Sequence, residues 1–499
     1  MAKAVMFQGT ASDSGKSWLA AAACRYLADK GLQVAPFKAQ NMALNSFITE
    51  QGDEMGRAQV YQAEAARVKP NVLMNPVLLK PSTDKASQVI VQGKVLADMD
   101  AVTYHQYKDQ LAPQVLDAYH QLANTHDVVI LEGAGSPAEI NLNDHDIVNM
   151  GMARMADVPV ILVADIDKGG VFASIYGTIK LLPPADQKRI KGIVINKFRG
   201  DKRLLEPGNQ MIEKLTGVPV IGVLPMTDID IDEEDSVALT KKNTQIDQTK
   251  ALDIAVIDLN RISNFTDFHS LEIEPDVSLR YVHDPSTLGV PDVIILPGSK
   301  NTNEDLAAIK ANGFAQQILT AHHQGSRVVG ICGGYQILGQ QLKDPDAIES
   351  AIPTQRGLGL LDTETTFNPQ KTTTQARAQH GHFELDGYEI HMGTTTLGPN
   401  ARPFATIIST NGQAESRLDG AVSSDGTVFG TYLHGVFDNA HWTRHFLNEV
   451  RVTKGLVPLV NTQISLSEYK DQQYNRLAQL FKENVDLDRF NQILAGEQR

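Results

Sequence analysis

A succession of continuous apolar runs, each ending in a polar or glycine turn and followed by enough sequence for a helix, most narrows what this chain can fold into. Residues 3–7, 32–38, 127–132, 158–165, 192–197 and 218–225 all have this form. Strands without polar alternation are covered on both faces, and helix-length spacers serve as crossovers, so the pattern predicts a parallel α/β sheet. The alternation restarts at residues 252–257 and continues through 293–296 and 328–331. Between the two series lie Asp228, Asp230, Asp232, Glu233, Glu234 and Asp235, then polar sequence to Lys250. Such a carboxylate run reads as a solvated connector. The expected organisation is a first α/β domain over 1–230, a linker over 231–250, a second α/β domain over 251–450, and terminal helices over 451–499 packed on the second domain.

At 499 residues the chain exceeds one hydrophobic core. A net charge of −14 argues against nucleic acid as the main partner, because phosphate neutralisation needs a basic surplus. The two cysteines, Cys24 and Cys332, fit a reducing compartment better than a disulfide framework. The opening residues lack the charged and apolar regions of a signal peptide, and no apolar run reaches the roughly 18 residues of a membrane span. The expectation is a cytoplasmic protein without a membrane partner; its oligomeric state stays open.

The first strand delivers Gly9-Thr10-Ala11-Ser12-Asp13-Ser14-Gly15-Lys16-Ser17 into an alanine-rich helix. Strand, glycine loop, Gly-Lys-Ser and helix form a phosphate-binding loop: backbone N–H groups cradle the anion at Gly15, Lys16 reaches the terminal phosphates, and Ser17 can hold Mg²⁺. Five residues separate the glycines where the usual pattern has four, and this spacing resembles the dethiobiotin synthetase-like ATPases. That resemblance implies a phosphate-stabilising role for Lys38, at the end of the second strand, and a metal-binding role for Glu132 in Glu-Gly-Ala-Gly. An acid ending a buried strand beside such a loop is itself where a second Mg²⁺ ligand belongs. Asn196 ends another strand where ATPases of this broad class recognise the adenine base. Asn41 and Asn45 suit an amide or carboxylate, while Cys24 reads as helix packing.

In the second half, Val328-Val329-Gly330-Ile331-Cys332-Gly333-Gly334 feeds a helical pattern, the strand–turn–helix context of a nucleophile elbow. Cys332 would be the nucleophile. His434 ends an apolar strand at Gly-Thr-Tyr-Leu-His-Gly and is the candidate base. The pair resembles the class I glutamine amidotransferase domain, in which cysteine and histidine release ammonia through a thioester. The resemblance implies an oxyanion hole from the N–H groups of Gly298 and Gly333, although Pro297-Gly298 also reads as an ordinary βα turn. Most members of that class carry Glu two residues after the histidine; here Val436 stands there, and the third member of the triad has no candidate. His391 could approach the glutamine or simply bond to backbone.

Gly-Thr-x4-Gly-Lys-Ser, Glu-Gly-Ala-Gly-Ser-Pro-Ala-Glu-Ile-Asn, Asp-Ile-Asp-Lys-Gly-Gly-Val-Phe, Arg-Ile-Ser-Asn-Phe-Thr-Asp, Gly-Ile-Cys-Gly-Gly-Tyr-Gln and Gly-Thr-Tyr-Leu-His-Gly occur in this order. Together they resemble the cobyric acid synthase family across nearly the whole chain. The resemblance implies ATP- and Mg²⁺-dependent, glutamine-dependent amidation of a corrinoid carboxylate substrate. A cobyrinic acid a,c-diamide synthase-like enzyme, a cytidine triphosphate synthase-like enzyme and a non-enzymatic P-loop partitioning or scaffold protein remain alternatives.

Overall fold

The computed structural model describes residues 2–81, 86–232, 242–460 and 465–497. Ser82 and residues 233–241 of the expected linker, with the acids Glu233, Glu234 and Asp235, lie outside the described residues. The chain divides into two compact units. The first holds the described residues up to Met42, those from Met55 to Asp232, and those from Glu468 onward. The second holds Ala43–Glu54 and the described residues between the acidic stretch and Ser467.

The first unit is built on a six-stranded sheet. In spatial order its strands are Val220–Pro225, Ile190–Phe198, Val160–Asp165, Lys3–Gly9, Val128–Glu132 and Val34–Phe37, with every pairing parallel. The expected parallel α/β sheet is therefore present, with Lys3–Gly9 inside it and the phosphate loop at its carboxyl end. Helix Lys16–Ala28 packs on the sheet through a face of small residues, Ala20 to Ala23, all fully buried. Val77–Pro81 and Ala86–Val91 are strands of a separate four-stranded sheet.

Two expectations about this unit need correction. The terminal helices Leu466–Asn484 and Leu487–Ala495 pack on the first unit, not the second. Tyr474, Leu477 and Phe481 recur at helical spacing, and with Phe490 and Ile493 they join the core that contains Tyr26, Leu27 and Ile221. Phe481 and Phe490 are fully buried, each contributing roughly 1.5–3 kcal/mol of apolar burial. Nearness in the chain to the second domain misled here, because an amphipathic face goes where apolar surface is available. The acidic run is likewise no simple solvated connector. Asp232 is buried between Arg57 and Lys470, with Lys470 Nζ 2.5 Å from its Oδ2, and Asp230 accepts the Tyr469 hydroxyl.

The second unit holds another six-stranded sheet, ordered Val277–Val282, Leu252–Ile257, Val293–Leu296, Arg327–Ile331, Val428–Thr431 and Ala421–Val422. All neighbours are parallel except the last pair. Beside it, Thr363–His380 and Phe383–Leu397 form a long antiparallel pair within a second sheet. Arg327–Ile331 and Val428–Thr431 are neighbours, with Ile331 opposite Thr431. That register brings Cys332 and His434 to the same sheet edge.

Candidate active sites

At the carboxyl end of Arg327–Ile331 the chain turns abruptly. Cys332 has φ 52° and ψ −108°, and helix Gly333–Leu338 begins at the next residue. A non-glycine residue at positive φ is strained, and the surrounding structure must hold it. The Cys332 N–H donates to Thr431 O at 2.8 Å, and a Cβ on Gly334 would run into Leu296 O. Only glycine lets the helix start that close to the neighbouring strand end. The expected elbow is there. Cys332 is 7% exposed, and its thiol points toward Ile390 O at 3.4 Å.

His434 is 1% exposed. Its backbone exchanges hydrogen bonds with Tyr388, and its ring stacks on the Tyr388 ring with centroids 5.1 Å apart and planes 14° apart. Nδ1 donates to Asp267 Oδ2 at 2.6 Å, while the other oxygen of Asp267 accepts the Gly435 N–H at 3.2 Å. Burial opposes charge on this imidazole, but the Asp267 carboxylate and the Cys332 side chain outweigh it and lift the pKa to about 10. Nε2 has no hydrogen-bond partner among the described residues. Asp267 therefore occupies the third position that the sequence left empty. It lies in the Asn264-Phe265-Thr266-Asp267 turn, in a motif already noted as Arg-Ile-Ser-Asn-Phe-Thr-Asp. Nothing in its spacing from Cys332 or His434 reveals the role. Val436, where other members of the class carry Glu, is fully buried in the core.

Gly298 and Gly333 both line this site. A Cβ on Gly298 would lie 3.3 Å from His434 Cε1, and one on Gly333 would lie 2.9 Å from Ser299 N. Gln336 ties the elbow helix to its surroundings: its amide donates to Met392 O and the Tyr432 hydroxyl and accepts from Thr302 Oγ. His391 stacks on Tyr432 and bonds through Nδ1 to Gly393 O. Burial pushes its pKa down to about 4, so it is neutral and backbone-anchored.

In the first unit the phosphate loop is closed on itself. Gly15 has φ 97°, and a Cβ there would run into the Asn196 amide, which donates to Ser14 O at 3.0 Å. Asn196 thus ties the end of its strand to the loop backbone. Lys16 Nζ donates to Ala11 O and Gly135 O, each at 3.1 Å. Glu132, 1% exposed, gathers the other groups. Its Oε1 accepts from Ser17 Oγ at 2.7 Å and from Lys38 Nζ at 3.0 Å, and its Oε2 accepts from Gln62 Nε2 at 2.5 Å. Gln62, on helix Arg57–Ala65, carried no signal in the sequence. Asn41 and Asn45 are buried. Cys24 is also buried, which pushes its thiol well up and leaves it a packing residue.

The CobQ/CobB/MinD/ParA nucleotide binding domain model matches residues 5–237, and the CobB/CobQ-like glutamine amidotransferase domain model matches residues 253–442. A cobyric acid synthase of Limosilactobacillus reuteri is 72% identical over 99% of this chain and 98% of its own length. The chain belongs to the cobyric acid synthase family. Cobyric acid synthases of Streptococcus sanguinis, 59% identical over the full length of both chains, and Listeria monocytogenes, 55% identical over 100% and 98%, agree. In this cobyric acid synthase family member a nucleotide-binding α/β domain precedes a glutamine amidotransferase α/β domain, and the chain is a glutamine-dependent amidoligase. Among the described residues no helix is long and apolar enough to cross a membrane.

Proposed function

We propose that the chain amidates the b, d, e and g carboxylates of adenosylcobyrinic acid a,c-diamide, using ATP for activation and glutamine as nitrogen donor. The observation that carries this reading is the Asp267–His434 pair beside Cys332, in a chain that also gathers Lys16, Ser17, Lys38 and Glu132 around a phosphate loop. Cys332 Sγ attacks the glutamine side-chain carbonyl, and the N–H groups of Gly298 and Gly333 receive the oxyanion. The charged His434 gives its Nε2 proton to the departing ammonia. Water, deprotonated by the same imidazole, then releases glutamate and restores the thiol.

A free carboxylate does not accept an amine, so an acceptor oxygen first attacks the γ-phosphorus of ATP and ADP leaves. Ammonia then attacks the acyl carbon and expels phosphate. Lys16 and Lys38 neutralise charge on the transferring group. Ser17 Oγ and Glu132 Oε1, 2.7 Å apart, are the oxygen groups that would hold Mg²⁺, a cation that prefers such donors. Bound there, Mg²⁺ would supply neutralisation of the phosphate oxygens.

The test is mass-spectrometric amidation with amide-¹⁵N glutamine, offering cobyrinic acid and its a,c-diamide separately. Four ¹⁵N incorporations into the a,c-diamide are expected, with glutamine use lost and ammonia use kept in Cys332→Ser. Incorporation into cobyrinic acid alone would instead identify an a,c-diamide synthase.

A further inference from the structure

The Ala43–Glu54 loop lies in the sequence of the first half, yet it packs within the second unit. Its placement there is specific. Ser46 N–H donates to Asn264 Oδ1 at 2.9 Å, and Asn264, at φ 54°, heads the turn that presents Asp267. Tyr388 OH reaches Ser46 O at 3.4 Å, and the Phe47 ring lies 5.6 Å from the Tyr388 ring, centroid to centroid. Tyr388 is the residue stacked on His434. Ile48 joins Tyr388 and Ile390 in one small apolar cluster, and Ile390 O is the group that Cys332 Sγ approaches. Asp267, His434 and Cys332 are each one residue removed from this loop.

We infer that the Ala43–Glu54 loop is the positioning element of the glutamine-hydrolysing triad, acting on His434 through Tyr388, on Asp267 through Asn264 and on Cys332 through Ile390. Position matters here because an imidazole must be aimed at both sulfur and leaving nitrogen, and a displacement near 1 Å can cost about 100-fold. The loop is anchored at its far end as well: Lys371 Nζ lies 2.5 Å from Glu54 Oε2, and Thr373 Oγ donates to Gly52 O at 3.1 Å. Both chain ends of the loop are covalently continuous with the first unit. Met42 follows Lys38 by four residues, and Met55 leads into helix Arg57–Ala65, which carries Gln62. The Lys38 and Gln62 segments, both holding Glu132, are thus joined by the loop that braces the triad.

This inference rests on the glutaminase reading above, and the experiment separates the two. Full-length native protein, Phe47→Ala, Tyr388→Phe and Tyr388→Leu are compared for glutamine hydrolysis across pH and for amidation from ammonia. Phe47 is only half-buried, so its truncation leaves the fold intact. Phe47→Ala and Tyr388→Leu should lower the glutaminase kcat about tenfold or more, with the KM for glutamine within about threefold and ammonia-dependent amidation unchanged. The groups acting most on His434 are Asp267 and Cys332, and a swung imidazole loses both, so the His434 limb of the pH profile should move down from about 10. Tyr388→Phe, which keeps the stacked ring but loses the hydroxyl bond to Ser46 O, should fall between native and Tyr388→Leu. Native-like kcat and pH profile in both Phe47→Ala and Tyr388→Leu would overturn the positioning role. Absence of Cys332-dependent glutamine hydrolysis in the native chain would instead overturn the glutaminase reading.

Discussion

Asp267 and His434 stand 167 residues apart in the chain, yet Asp267 Oδ2 lies 2.6 Å from His434 Nδ1. The carboxylate fixes which ring nitrogen carries the proton toward the acid and leaves Nε2 facing away from it; in the proposed mechanism Asp267 is the orienting acid.

Replacing Asp267 with Asn keeps the shape but offers His434 an amide in place of a charge. Glutamine-dependent amidation should fall by about 10²-fold or more, and ammonia-dependent amidation should persist. Parallel steady-state assays with the two nitrogen donors check this. Equal loss with both donors would place Asp267 outside the glutaminase step.

The same pair predicts a pH dependence of stability. The folded His434 pKa, about 10, lies above the ordinary histidine value of 6.5. Its contribution is fully present below about pH 6.5 and is lost as pH rises through about 10. Chemical denaturation of native protein and Asp267→Asn should therefore show the largest difference at pH 6 and a steadily smaller one toward pH 10.

In the proposed mechanism Glu132 belongs to the ATP-dependent step. Glu132→Gln keeps a hydrogen-bonding side chain but removes the charge shared by Ser17, Lys38 and Gln62. ATP-dependent amidation should drop by about 10²-fold or more from either nitrogen donor, while thioester formation at Cys332 continues. Rapid-quench trapping of labelled glutamine on the protein separates the two effects.

Phe490 lies in the core of the first unit, and Phe490→Ala should destabilise that unit by about 3–5 kcal/mol. Nucleotide protection against thermal unfolding should weaken with it. Cys332-dependent glutaminase activity, housed in the second unit, should survive at temperatures below the new transition.

Local turn structure was legible in the sequence wherever it is written in consecutive residues. The strand, loop and helix around Lys16, the acid ending Val128–Glu132, and the Cys332 elbow each combine a turn requirement with a reactive group, and all stand at the expected strand ends. Asp267 was not legible, because a triad carboxylate needs only proximity in space, and a short turn before the elbow supplies it without any spacing rule. Gln62 was hidden for the same reason, on a helix whose composition is ordinary. The terminal helices were visible as helices, and only their destination was misjudged, since amphipathicity states that a face will be covered and not by what.

That destination has a bearing on how the protein is made. The core of the first unit closes only when Phe481, Phe490 and Ile493 arrive, and the whole amidotransferase sequence is synthesised before them. On the ribosome, the nucleotide-binding portion emerges first and waits, its apolar surface near Tyr26 and Ile221 uncovered, while the later portion can already mature. Chaperone dependence during translation, rather than after release, is what such an order of assembly asks of the cell.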